Sequence, residues 1–106
     1  MSEQCGVNRA LQLIGNKWAL VVIHYLCTSP RGFNELTRMI EGISPKILSE
    51  RLKELVDSGL VVKTIFSTNP PTVEYRLTER GTLLKPILAD LNHWGETIDE
   101  KTNRQI

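Results

Sequence analysis

Residues 44–59, Ser-Pro-Lys-Ile-Leu-Ser-Glu-Arg-Leu-Lys-Glu-Leu-Val-Asp-Ser-Gly, carry helix signals at both ends. Ser44 is a good N-cap. Pro45 suits the first helical position, where its missing N–H has no partner to lose, and Gly59 stands just past the last turn. Wound at about 100° per residue, Leu48, Leu52 and Leu55 fall on one stripe, bordered by Ile47 and Val56. The opposite face shows Lys46, Ser49, Glu50, Lys53 and Asp57. That face is short-chained near the helix start and offers cationic and hydroxyl donors, as a helix entering a DNA groove requires. Alone, the pattern is more often that of an ordinary amphipathic helix with a solvated face. The flanking segments decide between the two.

Upstream, Val7, Leu11 and Ile14 recur at helical spacing, predicting a helix over 7–14 with Gly15 as its C′ stop. Asn16 caps a second helix, Lys17 to about Cys27, which is apolar almost all round and therefore central. Thr28-Ser29-Pro30-Arg31-Gly32 breaks it. A short third helix spans about Asn34 to Ile40, and only Glu41-Gly42-Ile43 separates it from Ser44. Two helices joined so closely by a Gly-containing turn form a helix-turn-helix candidate with the 44–58 helix as the reader.

After Gly59 the period changes from 3.6 to 2. Leu60 to Ser67 and Val73 to Thr78 read as two strands, joined by Thr68-Asn69-Pro70-Pro71-Thr72. The resulting hairpin, 60–78, follows the reader as a wing follows it in winged helix-turn-helix order. Thr78 then caps a long final helix over 79–98, bent at Pro86. Within it Leu84, Ile87, Leu91, Trp94 and Ile98 step by three and four, a seam of about two heptads, widened by Leu83 and Leu88. So broad a seam suits packing on another subunit. The predicted fold class is α+β and mostly helical: one winged-helix domain over 1–106 with dimerisation helices at both ends.

The 106-residue chain has the composition of a soluble globular domain, with 41% hydrophobic and 24% charged residues. Its longest strongly apolar run, Trp18 to Ile23, is too short to span a bilayer, and Met1 to Cys5 lack a signal peptide's layout, so a cytoplasmic protein without membrane association is expected. Cys5 and Cys27 are then thiols rather than a structural disulfide. A net charge of +1 means that any DNA binding uses a local face, and it keeps open a winged helix that contacts proteins instead. His24 and Cys27 have metal-ligand spacing but no second pair, so neither a metal nor a cofactor is expected. No Ser-His-Asp order, phosphate loop or catalytic carboxylate pair is present, which argues against an enzyme.

With these segments placed, Cys5 to about Gly95 resembles the HxlR-type winged-helix transcription regulators, relatives of the MarR-like group. The resemblance lies in Ala10-Leu11-x-x-Ile14-Gly15-x-Lys17-Trp18, Phe33-Asn34-Glu35-Leu36, Gly42-Ile43-Ser44-x-Lys46-x-Leu48-x-x-Arg51-Leu52-x-Glu54-Leu55, and Pro70-Pro71-x-Val73-Glu74-Tyr75-x-Leu77-Thr78-x-x-Gly81. Their order and spacing together are highly specific. The resemblance implies a homodimer, joined by its first and last helices, that binds double-stranded operator DNA with paired recognition helices and wings. The leading reading is a transcriptional repressor, and two-fold symmetry makes its site an inverted repeat. Members commonly carry Pro after the N-terminal Cys and Arg after the paired wing prolines; here these are Gly6 and Thr72.

On that basis Ser44, Pro45, Lys46, Ser49 and Lys53 are assigned to base edges and nearby phosphates. Glu50 could accept from a cytosine amino group or repel a wrong register. Arg51 either reaches a phosphate or ties its helix to a neighbour. Lys17 and Asn34 stand at helix starts that would face the duplex, with Asn34 alternatively a cap. Arg38 faces phosphate or solvent, and Lys63 and Arg76 are the hairpin's basic groups. Val7, Leu11, Leu84, Ile87, Leu91, Trp94 and Ile98 form the expected dimer interface, and Trp18 and Trp94 are read as packing residues. Cys5 precedes the first helix, where unpaired N–H groups and Arg9 favour a thiolate, the form that a small electrophile or oxidant attacks. Family members that sense redox state or quinones carry a Cys here, so Cys5 is either such a sensor or an inert terminal residue.

Overall fold

The computed structural model describes residues 5–98; Met1 to Gln4 and the last eight residues, and with them the outer ends of the 1–106 domain assignment, lie outside them. Six helices and a hairpin follow one another: α1 Gly6–Ile14, α2 Lys17–Leu26, α3 Phe33–Met39, α4 Pro45–Asp57, β1 Val61–Phe66, β2 Thr72–Leu77, α5 Glu79–Thr82 and α6 Lys85–Glu96. This is a winged helix-turn-helix, mostly helical, with one small antiparallel sheet.

α2 is the axle. Asn16 Oδ1 accepts the Ala19 N–H at 2.7 Å to start it, and Ala19, Val22, Ile23 and Leu26 are buried along it. α4 packs on α2 with Leu48, Leu52 and Leu55, while Leu36 and Ile40 arrive from the α3 side and Leu60, Val61 and Leu88 close the core. The stripe read from the sequence is therefore the buried face of α4, which leaves Lys46, Ser49 and Lys53 in water.

Local chemistry sets the ends of α4. Ser44 Oγ accepts the Ile47 N–H at 3.1 Å. At the other end Gly59 has φ +78°, and the Gly59 and Leu60 N–H groups donate back to Val56 and Leu55. That pairing is a Schellman stop, and it turns the chain directly into β1. The α3–α4 turn depends on Gly42 at φ +87°, a left-handed value that a side chain would penalise.

The hairpin pairs Val61 with Leu77 through Phe66 with Thr72. A third, one-residue strand joins it: Arg31 N donates to Tyr75 O at 2.9 Å, and Tyr75 N donates to Arg31 O at 2.8 Å. The segment read as a simple breaker between α2 and α3 thus also holds the wing.

Three expectations are revised. The 79–98 helix is divided: Thr78 caps a single turn, α5, and α6 begins at Lys85 with Pro86 in its first turn. Proline's missing N–H and its ring against the preceding turn make it a start rather than a bend. Gly15 closes α1 at φ −76°, so it is not a left-handed stop; a Cβ there would meet the Leu11 carbonyl. Leu88 belongs to the protein's own core, not to the outward seam.

Candidate nucleic-acid interface

The exposed face of α4 presents Ser44, Pro45, Lys46, Ser49 and Lys53 to solvent. Glu50 and Arg51 are different. The Arg51 guanidinium lies 3.4 Å from a Glu50 oxygen and 3.5 Å from a Glu54 oxygen, so it ties its own helix rather than extending outward or to a neighbour. Its Nε is buried without a partner among the described residues. Glu50 is correspondingly half-buried and engaged, which weakens its assignment to a base edge.

Asn34 is the second residue of α3, not its cap. Gly32 takes the cap position, and Glu35 Oε1 reaches back to accept the Gly32 N–H at 3.2 Å. The same carboxylate takes Arg31 Nη1 at 3.1 Å. These bonds, the Gly32 N–H first and the Arg31 guanidinium second, hold Glu35 below its ordinary range. Asn34 and Arg38 are exposed on the outer side of α3. Lys17, at the first position of α2, lies 4.6 Å over the Trp18 ring, and Trp18 packs against the core as expected.

The hairpin separates its two basic residues. Lys63 is paired with Tyr75, and Arg76 with Val62, so alternation along the strands sends Lys63 and Arg76 to opposite faces. Lys63 faces α4. There Ser49, Leu52, Lys53 and Val56 from the helix and Lys63 and Tyr75 from the wing line a groove of about 270 Å³. Tyr75 and Arg31 carried no functional signal in the sequence. Each matters through a backbone bridge between segments 44 residues apart (75 minus 31), which no local pattern encodes.

A second surface lies on the end helices. Val7 and Leu11 of α1 and Leu83, Ile87, Leu91, Trp94 and Ile98 at the other end of the chain are all exposed, and α1 buries no residue at all. Leu84 is the exception among the expected interface residues: it is half-buried against its own core. Trp94, 62% exposed, packs in no core of its own. Ala10, Leu13, Ile14, Leu60, Leu83 and Ile87 contribute to an apolar groove of about 210 Å³ between α1 and α5–α6, with Arg80 as its one cation among the described lining residues.

Cys5 is the N-cap of α1 and exposed; its carbonyl accepts the Arg9 N–H at 3.0 Å, but its thiol makes no capping bond. Cys27 is half-buried at the end of α2, and burial pushes its thiol up, opposed by the Lys85 ammonium. His24 is exposed, edge-on to Tyr25 at 5.3 Å. Among the described residues no helix is long and apolar enough to cross a membrane.

The sequence profile of the HxlR-like helix-turn-helix family matches residues 13–103. The chain belongs to that family. This HxlR-like chain is 43% identical over 91 residues to YkvN, an HTH-type transcriptional regulator of Bacillus subtilis, covering 86% of the chain and 77% of that protein. Its fold superposes on the redox regulator HypR in its oxidised form with a TM-score of 0.86 at 34% identity, covering 91% of this chain and 99% of that one. It also matches the quinone-bound form of the B. subtilis regulator YodB, with a TM-score of 0.71 at 35% identity over 87% of this chain and 97% of that one. The HxlR-like protein is accordingly a DNA-binding transcriptional regulator of the winged-helix type, and nothing in its relatives points to an enzyme.

Proposed function

We propose that the protein is a homodimeric, cytoplasmic repressor that sets the 44–58 helix of each protomer in the major groove of an inverted-repeat operator. The observation that carries this reading is the outward face of α4, where Lys46, Ser49 and Lys53 stand exposed beside the wing while the apolar stripe is spent on the core. Assembly rests on the exposed apolar side chains of α1 and α6, too many for a lone domain to leave wet. Two-fold symmetry then places matching half-sites about 10 bp apart or a multiple of it.

Release of DNA follows modification of Cys5 by a small electrophile or oxidant. The thiol is exposed and uncapped at the start of the helix that carries Val7 and Leu11. An adduct there shifts α1 and with it the separation of the two α4 helices. Cys27, half-buried and raised by burial, is a poor resolving partner, so direct addition of the Cys5 thiolate to an electrophile is favoured over a Cys5–Cys27 disulfide. That HypR has been solved in an oxidised form and YodB with quinone bound supports an oxidant or a quinone-like electrophile as the effector. The apolar groove between α1 and α5–α6 favours a second reading, in which a non-covalent small molecule moves the same helix.

The test is selection of the preferred duplex from a random pool, followed by titration at several salt concentrations. Lys46→Ala should lower the slope of log affinity against log salt by about one unit while leaving the fold intact. Binding unchanged in that variant rules out this face of α4. Treatment with a quinone or diamide should abolish binding by the wild-type protein and spare Cys5→Ser. Equal loss in both proteins removes Cys5 as the switch.

A further inference from the structure

We infer that Lys53 and Lys63, with the hydroxyls of Ser49 and Tyr75, grip one and the same phosphate of the DNA backbone, so that recognition helix and wing straddle a single strand. The inference rests on the reading of α4 as a DNA-binding helix and adds to it a residue, Tyr75, and a shared target. The four donor-bearing residues come from three elements, α4, β1 and β2, but line one groove of about 270 Å³. Ser49 and Lys53 are one turn apart on α4, and Lys63 is the direct cross-strand partner of Tyr75.

The groove's remaining lining is Leu52 and Val56, and Leu52 is 2% exposed. An apolar floor lowers the local dielectric and strengthens the attraction between the two ammonium groups and an anion. No carboxylate lines the groove, and neither lysine has an ion-pair partner among the described residues. Within the groove the two ammonium groups are therefore not neutralised by an ion pair, and Asp57 on the same helix face stands one turn beyond Lys53. Tyr75 is placed firmly: its N–H and C=O are both bonded to Arg31, and its ring packs against the core. Its hydroxyl makes no hydrogen bond to the described residues and is left as a donor at the groove. A phosphodiester supplies what this set lacks, a single negative charge on oxygens that accept from both hydroxyl and ammonium groups. Arg76, on the other face of the hairpin, takes no part.

The shared target has a distinctive signature, because counterion release counts phosphates neutralised rather than lysines present. The full chain is titrated against a labelled duplex of arbitrary sequence, since a phosphate grip is indifferent to sequence. Tyr75→Phe keeps the ring and the backbone bridge; it should weaken binding about tenfold or more at every salt concentration and leave the salt slope unchanged. Lys53→Ala and Lys63→Ala together should lower the slope by about one unit, not two. Lys46→Ala, outside the groove, should remove its own unit in either background. A loss of two units from the lysine pair, or full affinity in Tyr75→Phe, overturns the shared grip. Loss confined to Lys46→Ala overturns it while leaving α4 as the DNA-binding helix. Failure of the wild-type protein to bind any duplex overturns both.

Discussion

Ile87 and Leu88 are adjacent on α6, but one points outward and the other into the core, and this permits the proposed assembly to be separated from folding. Ile87 is 59% exposed and Leu88 5% exposed. Replacing Ile87 by Ala removes three carbons, each contributing about 0.8 kcal/mol when fully taken out of water. Scaled by the exposed fraction, the loss is about 1.4 kcal/mol per protomer, and two-fold symmetry doubles it to about 3 kcal/mol per dimer. Dimer Kd should therefore rise about a hundredfold, while the monomer, which buries only the remaining fraction of this side chain, should lose no more than about 1 kcal/mol. Leu88→Ala should do the reverse in kind, costing about 2–5 kcal/mol of folding free energy through the cavity it opens. Sedimentation equilibrium across a dilution series reads the first effect, and urea denaturation of dilute monomer reads the second. A shift in dimer Kd below threefold for Ile87→Ala would refute the reasoning, because the exposed stripe would then not be what joins the protomers.

Other outcomes follow from single features. Gly42→Ala forces a Cβ onto a residue at φ +87° in the turn between α3 and α4, and should cost about 1–2 kcal/mol in denaturant titrations. Glu35 is held below its ordinary value of 4.5 by the Gly32 N–H and Arg31. The unfolded chain therefore binds more protons in this range, so the stability from Glu35 is complete above that value and fades as pH falls through the lower, folded one. Glu35→Gln should flatten this acid limb in thermal melts taken down the pH scale. Iodoacetamide should label exposed Cys5 well before half-buried Cys27, whose thiol is raised by burial, and equal rates by mass spectrometry would contradict the placement of Cys27.

Much of this fold was legible because its boundaries are set by local chemistry. Asn16, Ser44 and Thr78 each accept the N–H three residues on, as their side chains and positions announced. The apolar stripe of α4 and the change of period after Gly59 were equally plain. The end helices were harder, for a physical reason. α6 carries two apolar stripes, one toward the core through Leu88 and one outward through Ile87 and Trp94, and helical periodicity cannot say which is which. Arg51 was left open between a phosphate contact and a tie to a neighbouring element because its two ion-pair partners, Glu50 and Glu54, are equally at home on a solvated face. Tyr75 and Arg31 were hidden because their role depends on a strand bridge across the chain, and Lys63 and Arg76 were separable only once the register was known.

The one-residue strand at Arg31 has a mechanical meaning. A two-stranded ribbon is at best marginally stable in water, yet this one is stitched to the α2–α3 link by two backbone hydrogen bonds. Arg31 reinforces the stitch, donating to the Tyr25 carbonyl, the Thr28 hydroxyl and the Glu35 carboxylate. The wing is thereby anchored to the α2–α3 link that leads into the helix-turn-helix, like one jaw of a calliper fixed to its frame. The end helices carry no such stitch: α1 buries no residue among those described. In the proposed dimer, one base pair changes the facing direction of a half-site by about 34°, at about 10.5 bp per turn, so a small rotation between protomers would carry both heads out of phase with the duplex together.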